Sequence, residues 1–168
     1  MQDLIGYDEI IENSMRSVIY ETLKKVEKTG LPGKHYFVIT FLTNFPGITI
    51  PKYLKEKYAE EMTIVVQHQY KSFVVEHDQF KLSLSFAGKY EKLVVPYRSI
   101  TSFADPSMNF GLKFSVNYDE FGEDGEPKIS TNHANKNDTK GAKPAVDLSA
   151  KVISLDAFRK NKNNDNQA

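Results

Sequence analysis

The chain has 168 residues, 40% of them apolar and 26% charged, with 22 basic against 22 acidic side chains. That length supports one domain with a hydrophobic core, and a formal net charge of zero argues against a partner held by phosphate contacts, which call for a basic face. The absence of Cys excludes disulfides, thiolate zinc sites and cysteine nucleophiles, and fits a reducing compartment.

No run approaches the ~18 apolar residues of a membrane span. The start, Met1 to Gly6, lacks the basic and apolar pattern of a secretion signal. A cytoplasmic protein is expected.

From the N-terminus, residues 1–30 read as a helix. Ile11, Met15, Val18, Thr22 and Val26, with Ile19 and Leu23 beside them, recur at steps of three and four from Tyr7 to Glu27. Gly30, Pro32 and Gly33 stop it. Such a helix is about 30 Å long, more than one flank of a small body requires. Its stripe is therefore expected to pack on a second copy of the chain as well as on its own core.

Residues 31–116 read as a strand-rich body. His35–Leu42 is apolar in both alternating sets, as in a strand covered on both faces. Further strands are expected at Met62–Gln67, Phe73–Glu76, Phe80–Phe86, Leu93–Val95 and Gly111–Val116. Helical turns are expected from Pro51 to Tyr58 and from Pro96 to Phe103, each with Pro in the first turn. Many short strands separated by turn signals predict a mainly β (α+β) fold: a small β-barrel behind an N-terminal helix.

Residues 117–150 read as a linker. Asp119, Glu120, Glu123, Asp124 and Glu126 open it, and little apolar follows. Such a segment cannot bury enough surface to offset its ordering entropy, so a disordered tail is expected. Within residues 151–168 an apolar cluster returns at Val152, Ile153, Leu155, Ala157 and Phe158, followed by Arg159 and Lys160.

The chemistry of an enzyme is not visible. His35, His68, His77 and His133 form no HExxH pair, and His77 and Asp78 are neighbours that a strand would turn to opposite faces. There is no GxSxG, GxxxxGK[ST] or GxGxxG. No metal, no cofactor and no catalytic residue is expected. What remains is a set of turns in which Pro, Gly or Ala adjoins an aromatic: Phe45-Pro46-Gly47-Ile48, Phe86-Ala87-Gly88 and Phe103-Ala104. With the polar run Gln67-His68-Gln69, these suit a groove in which an extended peptide approaches the backbone; they are equally the residues of ordinary turns over an aromatic core.

The order and spacing of Pro46–Pro51, Phe86–Gly88 with Leu93–Pro96, Ile100 to Pro106, and Gly111–Phe114 resemble the SspB family. Met62–Tyr70 and the tail run Val152–Lys160 look like its α-proteobacterial branch. The resemblance implies an Sm/SH3-like β-barrel, dimerisation through helices, and a groove that binds the ssrA degradation tag of stalled nascent chains. It implies a tail motif that docks on the N-terminal domain of the ATPase ClpX, which feeds the ClpXP protease. On that basis the peptide groove is expected at Phe45–Ile48, Gln67–Gln69, Phe86–Gly88 and Phe103–Ala104, and the docking contacts at Val152, Ile153, Leu155, Phe158 and Arg159. The alternative is a small barrel that binds single-stranded RNA, hinted at by Tyr90 and Tyr97 beside Lys89, Lys92 and Arg98.

Overall fold

The computed structural model describes residues 2–116 and 151–152. The expected linker at 117–150, and the tail beyond Val152, lie outside the described residues.

Helix α1 spans Tyr7–Thr29. The Asp3 carboxylate accepts from the backbone N–H groups of Ile5, Gly6 and Tyr7 at 3.0, 3.0 and 2.7 Å, which supplies otherwise unpartnered donors at the helix start. At the other end Gly30, at φ 74°, donates to the Val26 carbonyl at 2.8 Å and turns the chain away. The stripe reaches the core from Met15 onward: Ile19, Leu23 and Val26 are buried and Met15 packs against them partly buried, whereas Tyr7, Ile10, Ile11 and Val18 remain exposed.

Strands β1 (Phe37–Leu42), β2 (Glu61–Val66), β6 (Ile100–Asp105), β7 (Phe110–Lys113) and β8 (Lys151–Val152) form one sheet in the order β2-β1-β6-β7-β8. Strands β3 (Lys71–Val75), β4 (Gln79–Phe86) and β5 (Lys89–Pro96) form a second, β3-β4-β5. All pairings are antiparallel except that of β8 with β7. Helix α2 (Lys52–Lys57) follows β1, and Thr49 in that connection bridges to Val94 of β5. The mainly β class behind an N-terminal helix is as expected, with the strands drawn as two open sheets around one core.

That core is Phe41, Phe80 and Phe103 surrounded by Ile19, Leu23, Ile39, Leu82, Leu93, Ile100 and Val95, all nearly inaccessible to water. Burying each large apolar side chain contributes about 1.5–3 kcal/mol. In β1, Phe37, Ile39 and Phe41 are buried and Val38, Thr40 and Leu42 half-buried, so the second face is covered less than its apolar content suggests.

Strand β8 has no counterpart among the expected strands, and two further elements differ from expectation. The helical turn expected from Pro96 to Phe103 is a single 3-10 turn, Tyr97–Ser99, followed by β6. Pairing with β1 on one side and β7 on the other satisfies the backbone twice over and outweighs the local Pro signal. Strand β5 begins at Lys89 rather than Leu93, because Ala87 and Gly88, at φ 50° and 81°, form a two-residue hairpin turn and pairing starts at once with Phe86↔Lys89.

Candidate functional site

A cleft of about 150 Å³ runs between β2 and the end of β4, lined by Thr63, Ile64, Val65, Gln69, Leu84, Ser85 and Phe86. Three consecutive residues of each strand take part. Side chains alternate between faces of a strand, so a wall made of consecutive residues is the strand's edge. Among the described residues no strand pairs with the outer edge of β2. Strand β3 stops pairing with β4 at Lys71↔Ser83, which leaves Leu84, Ser85 and Phe86 with β5 on one side only. The cleft is thus a notch between two strand edges. Thr40 and Thr63 join their hydroxyls at 2.8 Å on β1 and β2, and Gln69 Nε2 donates to the Val65 carbonyl at 3.5 Å across the mouth.

The outer edge of β3 is closed at Val75. Its N–H donates to Glu27 Oε1 at 2.8 Å, and its carbonyl accepts from Lys24 Nζ at 3.0 Å. Lys24 and Glu27 also pair with each other at 2.8 Å. The Lys24 ammonium, and then the Val75 N–H, hold the Glu27 carboxyl below the usual range; hydrogen bonding to Glu27 raises Lys24 in turn. Helix α1 therefore caps one strand edge and leaves the β2–β4 notch open.

A larger cleft, about 640 Å³, lies between α1 and the body. Asn13, Arg16, Ser17 and Tyr20 face Phe45, Pro46, Gly47, His77–Gln79 and Pro96–Arg98 there. Its walls are side chains of a helix, turns and a 3-10 segment rather than strand edges.

The residues expected to share one groove divide among several places. Gln69 and Phe86 line the notch. Phe45, Pro46 and Gly47 belong to the larger cleft. There Gly47 sits at φ 87°, where a Cβ would come within 3.1 Å of Pro96 Cγ. Ile48 is half-buried against the core. Gln67 and His68 are exposed between β2 and β3, and Ala87 and Gly88 form the hairpin turn. Phe103 and Ala104 are buried in β6 at 1% and 7% exposure, with the Phe103 ring 5.1 Å from Phe37. The Phe103 side chain belongs to the core cluster, and Ala104, on the opposite face of β6, lies against Gly111 of β7. Val152 lies in β8 beside β7; Ile153, Leu155, Phe158 and Arg159 lie outside the described residues.

Thr63, Ile64, Val65, Leu84 and Ser85 also line the notch and are not among the residues expected from the sequence. Their residue types carry no binding signal, since what they offer is a place on a strand edge, and that depends on where neighbouring strands end.

Among the described residues no helix is long and apolar enough to cross a membrane. A family model described as SspB, stringent starvation protein B, matches residues 9–165. No curated protein matches the chain.

Proposed function

The chain belongs to the stringent starvation protein B family, a family of protease adaptors rather than enzymes, and from that premise we propose that it binds ssrA-type degradation tags in the β2–β4 notch and carries them to ClpXP. The observation that carries this reading is the pair of open strand edges facing each other across the notch. An extended peptide laid along either edge gains main-chain hydrogen bonds, and alternate side chains enter the space between. At about 150 Å³ the notch is smaller than the ~300–1,000 Å³ of small-molecule pockets but accepts a peptide side chain.

The same reading assigns dimerisation to the exposed first half of α1 and docking on the ClpX N-terminal domain to the tail run Val152–Lys160. Residues 117–150 then act as a tether. A flexible chain of that length has a root-mean-square reach of roughly 30–35 Å and gives effective concentrations near the millimolar range. Binding RNA is the weaker reading. Its best stacking candidate, Tyr90, already has Lys71 Nζ over its ring, 3.9 Å from the centroid.

Titration of a fluorescent ssrA-type peptide into Gln69→Ala and Gln67→Ala tests the location. Gln69 lines the notch and Gln67 does not. Gln69→Ala is expected to weaken binding by about three- to tenfold, the worth of one hydrogen bond, and Gln67→Ala to leave it within twofold. The opposite order would move the site to the exposed loop.

A further inference from the structure

We propose that the outer edge of β7 is a docking strand for this chain's own tail, occupied in cis by Lys151–Val152, and that this pairing competes with presentation of the tail to its partner.

Strand β7 has four residues and pairs with β6 through Ser102↔Lys113, Phe103↔Leu112, Ala104↔Gly111 and Asp105↔Phe110. Without β8 it would be the outer strand of its sheet, with a row of unpaired backbone groups that invites another strand. Lys151 and Val152 take that place in parallel register, Phe110↔Lys151 and Gly111↔Val152. A parallel neighbour requires a crossover of a dozen or more residues, and residues 117–150 are ample for it. The edge and the segment that covers it thus belong to one chain and are joined by a tether long enough to let them meet.

Val152 is also the first residue of the apolar run Val152–Phe158. Pairing with β7 holds the head of that run against its own body. Two ladder positions make a weak contact, which an intramolecular effective concentration near the millimolar range keeps partly formed and a tighter partner displaces. Lys151 and Val152 then alternate between a paired and a released state. The competition rests on the docking reading above; the strand pairing does not.

Amide hydrogen exchange of Phe110–Lys113 tests the pairing, compared in the full chain, a chain ending at Ala150, and Lys151→Pro. Proline removes the Lys151 N–H and constrains Ala150, while leaving the apolar run unchanged. The β7 amides that turn away from β6 are expected to exchange several-fold faster in both variants than in the full chain. Equal exchange in all three overturns the proposal. Protection that disappears on dilution to monomer overturns it too, since a second copy would then supply the strand. With the isolated ClpX N-terminal domain as probe, Lys151→Pro should bind about two- to tenfold tighter than the full chain, the range expected when a weak internal competitor is removed. Unchanged affinity would remove the competition. No binding by either chain, with exchange protection intact, would leave the β7 pairing standing and sink the docking reading instead.

Discussion

His35 Nδ1 and Asp105 Oδ2 meet at 2.5 Å, tying the segment that leads into β1 to the last residue of β6. The carboxylate is 7% exposed and also accepts from the Ser107 N–H at 3.1 Å and from the Ser107 hydroxyl at 2.5 Å. Burial alone would raise its pKa; the hydrogen bonds from Ser107 and His35 outweigh that and hold it below the ordinary value. A carboxyl lowered in the folded state adds stability above its unfolded pKa, near 4, and loses it as pH falls through the folded value. Asp105→Ala should therefore cost about 1–3 kcal/mol at pH 7, and the gap from wild type should narrow as the pH falls below about 4. Thermal melts of both proteins at pH 7, 5 and 3 check this; a gap independent of pH would contradict it.

The fold was legible where a period decides it. The spacing of Ile19, Leu23 and Val26, and the alternation of Phe80, Leu82 and Leu84, lead directly to the faces that are buried. It was less legible where a partner strand decides. Ile100–Asp105 carries a Pro-initiated turn signal, yet β1 and β7 hold it extended. For the site, Gln69 and Phe86 were readable as polar and aromatic residues beside turns. Ser85 was not, because its value lies in an unpaired backbone edge. Phe45 lies in the larger cleft and Phe103 in the core: an aromatic beside a Pro or Ala is a property of cores as much as of grooves.

Glu27 and Lys24 together occupy both backbone groups of Val75. Glu27→Ala should lower stability by about 0.5–1.5 kcal/mol through the lost hydrogen bond to that N–H, with tag affinity unchanged because the notch is elsewhere. Denaturant unfolding and a peptide titration on the same sample measure both. An affinity loss without a stability loss would place the site against α1.

Ile11 and Val18 are 39% and 43% exposed on α1, beside Tyr7 and Ile10. If this patch is the dimer contact, Ile11→Asp with Val18→Asp puts unpaired charge into an apolar interface. Sedimentation should then show wild type as a dimer at micromolar concentration and the double variant as a folded monomer. A monomeric wild type, or a dimeric variant, would refute the assignment.

Ala87 adopts φ 50°, a left-handed conformation that costs a non-glycine residue roughly 1–2 kcal/mol. Asn tolerates it better, and Asn-Gly is the preferred pair for a two-residue hairpin. Ala87→Asn should raise the melting temperature and leave tag binding unaltered, as the turn lies beside the notch rather than in its wall. A tag affinity reduced several-fold would extend the site onto the turn.

The central claim is that an extended tag binds between the edges of β2 and β4. Ser85 is small and exposed and lines that notch, so Ser85→Arg fills the space without touching the core. Titration of a fluorescent ssrA-type peptide into wild type and Ser85→Arg, with melts of both, is the most direct measurement. Saturable binding by wild type, weakened by about tenfold or more (at least ~1.4 kcal/mol) in a variant with the same melting temperature, is the expected result. Equal binding by the two proteins, or no binding by wild type, would contradict it.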